Sequence, residues 1–143
     1  MIFKSYILEQ NIQSTDACKM ILFYGENQGL KKEFKEKLKI LNKNHEILNL
    51  FQEEIIKDKD SFINEINNKS LFNEKKIIFI NEVDDKILDL LKEIIDNIKD
   101  EKIILFSDIL DKKSKLRSFF EKSKTYGITA CYLDNEITIR KII

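Results

Sequence analysis

The sequence predicts an α/β domain with a mostly parallel, five-stranded sheet between layers of helix. Three observations carry this. Short apolar runs recur along the chain, and the segments between them place apolar residues at helical spacing, so strands and helices alternate. The runs read as apolar throughout, as expected of strands covered on both faces. The 143 residues contain no Pro, only three Gly, and no linker, repeat or low-complexity stretch, so one domain over 1–143 is expected.

The first strand is Lys19–Tyr24, ending at Gly25. Leu30, Phe34, Leu38 and Leu41 then mark a helix. His45–Phe51 reads as the second strand, and the charged span Gln52–Lys59 as a short helical turn. Asp60 or Ser61 caps the next helix, whose apolar side is Phe62, Ile63 and Ile66. Lys75–Ile80 is the clearest strand. Asp84 and Asp85 suit the first turn of a long helix, where the macrodipole favours acids, with Ile87, Leu88, Leu91, Ile94, Ile95 and Ile98 on its inner face. Lys102–Phe106 is the fourth strand, Leu116, Phe119 and Phe120 mark a further helix, and Thr129–Leu133 is the fifth strand. Asp134 or Asn135 would cap a last helix. At the other end, Ile2–Ile7 could form an edge strand.

Composition narrows the function. Lys plus Arg equals Asp plus Glu at 25 each, which argues against a broad electrostatic footprint on nucleic acid. The heavy use of Ile, Asn and Lys reads as the bias of an AT-rich genome, so lysine counts carry little weight. No segment approaches bilayer length, and no signal peptide precedes the two cysteines, Cys18 and Cys131, whose separation fits no metal motif. A cytoplasmic protein with two reduced thiols is expected.

"FYGENQGLKK" stands where a phosphate-binding loop belongs, between a strand and a helix. A working loop reads G-x-x-x-x-G-K-[ST]. Here Gly25 and Gly29 enclose three residues, Leu30 follows where lysine should, Lys31 comes late, and no hydroxyl follows it. At the end of the third strand, Asn81 stands where a Walker B aspartate would hold magnesium, and Glu82 follows it. An amide is a poor substitute for that carboxylate. The reading is of a degenerate nucleotide site with no cofactor.

Four pieces in this order resemble the N-terminal domain of the delta subunit of the bacterial DNA polymerase III clamp loader. They are "ILFYGENQGLKKEF", "NNKSLFNEKKIIFINEVDD", "EKIILFSDILDKKSKLRSFFEK" and "ITACYLDNEITIRKII". The resemblance implies a three-layer P-loop NTPase-like (AAA+-like) fold that does not use ATP and is not an enzyme by itself. It implies a domain that binds the beta sliding clamp and helps open the ring for loading onto primed DNA. The partners it implies are the clamp, the delta-prime and gamma/tau subunits, and primed DNA through the assembled complex. The family's helical lid and collar domains are absent from the 143 residues, and the apolar end at Ile142–Ile143 reads as that of a fragment.

In this family a Leu-Phe pair between a helix and the third strand touches the clamp. The matching residues are Leu71 and Phe72, with Ser70 and Asn67 beside them. Asn67 stands where clamp-binding peptides often carry Gln, and Lys69 where relatives are often apolar. From the residues alone, the pair would sooner pack into the protein's own core; it is the resemblance that favours a pocket on the clamp.

Two other classes stay open: a phosphate-handling NTPase, and a generic or receiver-like α/β interaction domain. The single histidine, His45, has no nucleophile in a recognisable motif beside it and reads as structural. Lys112, Lys113, Lys115, Arg117, Lys122 and Lys124 form the densest basic cluster and read as a solvated helix face.

Overall fold

The computed structural model describes residues 1–67 and 75–133. The predicted α/β domain is the fold observed. Its five strands are β1 (Met20–Tyr24), β2 (Glu46–Phe51), β3 (Lys76–Val83), β4 (Lys102–Ser107) and β5 (Gly127–Ala130), in the order β2-β3-β4-β1-β5. Every pairing is parallel. β1 lies between β4 and β5. A receiver-type sheet would place it between β2 and β3, so the receiver-like alternative does not hold.

The helices are α1 (Ser5–Gln10), α2 (Gln28–Leu41), α3 (Gln52–Lys57), α4 (Lys59–Asn67), α5 (Leu88–Ile94) and α6 (Lys115–Lys122). The strand order dictates which face each covers. The step from β1 to β2 runs one way along the sheet and the later steps run the other way. Right-handed crossovers therefore put α2 on one face and α3 to α6 on the opposite one. Two apolar cores result. Ile21, Phe23, Ile77, Phe79, Ile104 and Phe106 meet Leu8 of α1 and Phe34 and Leu38 of α2. Met20, Leu22, Ile78, Ile80, Ile103 and Leu105 meet the helices of the other face, including Phe62, Leu91 and Phe120.

Several expectations need correction. β2 is not buried on both faces: Leu48 and Leu50 pack against the second core, while Ile47 and Phe51 are exposed. It is an edge strand, and α2 leaves Ile47 and Phe51 of its other face uncovered. The N-terminal residues do not form an edge strand; Ile2 makes one parallel bridge to Ile128 before α1 begins. β5 starts two residues earlier than expected and ends at Ala130, because Cys131–Leu133 leaves the sheet to cover the β1–α2 turn. α4 is capped by Asp58, which accepts from the Ser61 amide at 3.1 Å, and not by Asp60 or Ser61. The suggested final helix lies outside the described residues.

The Asp84–Asp85 pair also does more than decorate a helix start. The expected long helix is a continuous helical stretch over 85–97: α5 runs on into a 3₁₀ turn at Ile95–Asn97 and is entered through a 3₁₀ turn at Asp85–Ile87. Asp84 caps that turn, accepting from the Lys86 amide at 2.9 Å. Asp85 reaches across to α6, accepting from the Ser114 hydroxyl at 2.5 Å and the Lys115 and Leu116 amides at 3.1 Å each. The Ser114 hydroxyl, helped by these amides, holds the Asp85 carboxyl below its ordinary value of 3.8. Asp85→Ala is expected to cost about 1–2 kcal/mol of stability. Because the folded chain favours the charged form, that difference is complete above 3.8 and fades as pH falls through the lower folded-state value. Urea unfolding of both proteins at neutral and strongly acidic pH checks it; a gap that persists unchanged in acid would contradict it.

Candidate functional site

Ligands of open α/β sheets bind outside the carboxyl ends of the strands, where neighbouring connections leave to opposite faces. Here that place lies between β1 and β4, and the Gly25–Gly29 turn fills it. Gly25 has φ +120°, a conformation that side chains resist. A Cβ at Gly25 would stand 2.2 Å from the Cys131 carbonyl oxygen, so this glycine makes room for the protein's own backbone.

The turn's polar groups are occupied from within. The Gly25 amide donates to the Asp108 carbonyl at 3.0 Å and the Asn27 amide to the Cys131 carbonyl at 2.9 Å. The Asn27 side chain caps α2, accepting from the Leu30 amide at 3.0 Å. Glu26 accepts from the Leu133 amide at 2.9 Å. Phosphate loops hold their ligand with such amides; this one spends two of them, one on the residue after β4 and one on the segment after β5.

Lys31 completes the closure. It is buried, and its ammonium donates to the Ser107 carbonyl at 2.8 Å, with an Asp108 carboxylate oxygen at 3.7 Å. Gln28 binds the same carboxylate at 2.9 Å. The late lysine of the motif thus ties α2 to the end of β4. Behind it, the Cys131 thiol is buried, and burial pushes its pKa up to about 12, far from a reactive thiolate.

At the end of β3 the strand runs on to Val83, with a register shift against β4 between Ile80 and Val83. Glu82 sits at the shift with φ +55°, an uncommon conformation for a side chain with a Cβ. Asn81, in the Walker B position, uses its Nδ2 to donate to the Asn49 side-chain oxygen and the Leu50 carbonyl, each at 2.9 Å. Its own oxygen accepts from the Lys35 ammonium at 3.2 Å, while Asn49 accepts from the same ammonium at 2.6 Å. A lysine cation therefore lies against the oxygen that would face magnesium in a working site. The same ammonium lies 5.4 Å from the centre of the Phe79 ring and 5.7 Å from that of Phe106, within cation–π range. Burial lowers the pKa of Lys35, and repulsion from Lys39 adds to it. Nothing in the sequence pattern marked Lys35 or Asn49; the one signal was the amide at Asn81.

Of the residues expected to touch a clamp, Asn67 is the last of α4, while Ser70, Leu71 and Phe72 lie outside the described residues. Lys76, the first residue of β3, is buried and donates to the Glu65 carbonyl at 2.7 Å, so the end of α4 and the start of β3 are tied together. His45 is half-buried, with a pKa lowered by burial and by Lys102 and Lys75. Arg117 does not belong to a solvated face: it donates to the Leu110 carbonyl at 2.8 Å and stacks 5.1 Å from the Tyr24 ring. The five lysines of that cluster are exposed. Among the described residues, no three His, Cys, Asp or Glu side chains gather as metal ligands, and no helix is long and apolar enough to cross a membrane.

In structure, the chain is similar to the Bacillus subtilis DNA clamp loader delta protein (YqeN), with a TM-score of 0.68 and 13% sequence identity, over 96% of this chain and 45% of that one. The two share an α/β fold. In sequence, the chain is similar to "Uncharacterized protein 050L" of Invertebrate iridescent virus 6, 35% identical over 111 residues, or 73% of this chain and 10% of the viral protein. No protein-family model matches. The chain thus spans a tenth of the viral relative's length and under half of the clamp-loader chain's. At 13% identity the structural likeness speaks for the fold.

Proposed function

We propose that this chain works as a non-hydrolysing, delta-type domain of a clamp loader in DNA replication. It binds a beta-type sliding clamp through Leu71 and Phe72 and helps hold the ring open. The observation that carries this reading is the turn at Gly25–Gly29. It keeps the shape of a phosphate loop while its amides and its lysine bind the protein itself, in a fold shared with a clamp-loader delta protein.

The mechanism is mechanical and not chemical. With Asn81 amidated and Lys35 against it, the site lacks the carboxylate that would hold magnesium. Ring opening then draws on binding energy. Burial of one leucine and one phenylalanine side chain on the clamp supplies about 3–6 kcal/mol before association costs. Asn67 and Ser70 flank the pair in sequence, and the Lys76–Glu65 contact ties α4 to β3. Hydrolysis would fall to other clamp-loader subunits, the partners being delta-prime and gamma/tau, and primed DNA would be met through the assembled complex.

Calorimetric titration of the chain against a bacterial beta-type clamp tests this. The double variant Leu71→Ala, Phe72→Ala should lose about 2 kcal/mol or more of binding, roughly thirtyfold in Kd, as a hot spot does. Its thermal unfolding should be unchanged. Equal affinity in variant and wild type would remove the pair from the interface; a variant that unfolds would place both residues in the domain's own core.

A further inference from the structure

We propose that the cleft between α2 and the carboxyl ends of β2, β3 and β4 binds a small anion. The anion's phosphate or carboxylate group would lie against Lys35, with Lys32 and Lys39 at the rim. This cleft adjoins the closed Gly25–Gly29 turn and shares Gln28, Lys31 and Asp108 with it, but Lys35 lies two turns along α2 from Gln28.

The cleft has a volume of about 420 Å³, within the range of small-molecule sites. Its lysines differ in how their charge is met. Lys31 has Asp108 at 3.7 Å, and Lys39 has Glu36 at 3.5 Å. Lys35 has amide oxygens and ring faces but no carboxylate within ion-pair distance among the described residues. Such a cation has given up part of its hydration without gaining a carboxylate in contact; Glu36 acts on it only from beyond ion-pair distance, and burial still lowers its pKa. An anion entering the cleft restores the missing partner.

The surroundings are set for one. Asn81 is fixed by its bonds to Asn49 and Leu50, and the two amide oxygens hold the ammonium in place. Preorganisation of this kind lowers the entropy lost on binding. Half-exposed Phe51 and the ring of Phe106 give the cleft an apolar wall, suited to the non-polar part of an organic anion. Glu82 also lines the cleft, as do Glu36 and Asp108, which are paired with Lys39 and Lys31. The Glu82 charge opposes a densely charged ligand, so a single phosphate or carboxylate is favoured over a triphosphate.

Amide-detected NMR of the whole chain tests this, with inorganic phosphate, acetate and tripolyphosphate as probes at constant ionic strength. Phosphate or acetate should shift the side-chain amide signals of Asn49 and Asn81 saturably at millimolar concentration, with tripolyphosphate no tighter. A response to phosphate alone assigns a phosphate ligand, and one to acetate alone a carboxylate. Lys35→Met should abolish saturation. Lys32→Gln with Lys39→Gln, at less buried positions, should weaken it severalfold while the fold persists. Non-saturating shifts with phosphate and acetate would overturn the site, as would a wild-type response in folded Lys35→Met. If Lys35→Met does not fold, unchanged affinity in the Lys32, Lys39 variant would overturn it. Clamp affinity is a separate readout, so neither result stands in for the other.

Discussion

Replacing Gly25 with alanine should lower stability by about 3–5 kcal/mol, the sum of backbone strain and lost hydrogen bonds. Alanine resists φ +120°, and its methyl group would meet the Cys131 carbonyl at 2.2 Å. The obstacle is backbone, so no side-chain rotation relieves it. Moving Cys131 aside would break its amide's bond to the Tyr24 carbonyl and the Asn27 amide's bond to its own carbonyl. In a domain of this size the loss corresponds to a melting temperature lower by roughly 10–20 °C. Thermal unfolding followed by circular dichroism measures it. A shift of only a degree or two would mean that the segment after β5 moves away freely, and that the turn is not closed as described.

Phe23→Ala should be comparably severe. Phe23, the fourth of the five residues of β1, is fully buried. Its ring stacks on Phe34 of α2 at 5.1 Å and on Phe106 of β4 at 5.5 Å, and Phe106 stacks in turn on Phe79 at 6.1 Å. Truncating a buried phenylalanine costs about 3–5 kcal/mol, part of it for the cavity left behind. This stack is also the floor beneath Lys35, so the same variant should weaken anion binding in the cleft. Phe23→Leu refills much of the volume and should lose far less. Equal losses for Ala and Leu in urea unfolding would argue that ring stacking, and not cavity formation, dominates.

The central strands were legible because β1, β3 and β4 are continuously apolar, and only strands covered on both faces need such runs. Where the sequence misled, local patterns were outvoted by distant partners. Thr129–Leu133 looks like a strand, but the last three residues are drawn off to cover the Gly25 turn. β3 appeared to stop at Ile80 because Asn81 and Glu82 are polar, and no residue pattern announces a glutamate at φ +55°. Asp58, Asp60 and Ser61 were all chemically able to cap α4; only the backbone path selects Asp58.

The site was legible in its losses and not in its replacements. The missing lysine, hydroxyl and aspartate could be read directly from Gly25–Lys32 and Asn81. That Lys31 ties down β4, and that Lys35 joins Asn49 and Asn81, required elements far apart in sequence to be brought together.

The position of β1 bears on how the chain acquires its structure. Met20 pairs with Ile103, and Ile21 with Gly127, so the earliest strand to be synthesised finds no neighbour until almost the whole domain exists. Loop-closure entropy must be met before these pairings form, which makes parallel sheets of this kind slow to fold and exposed to aggregation meanwhile. On the ribosome, the apolar run from Met20 to Tyr24 waits uncovered on its sheet edges while the β2–β3 pair is already available. The residues that close the Gly25 turn, Asp108 and Cys131–Leu133, are made later still, so the turn cannot close before the last strand has been made.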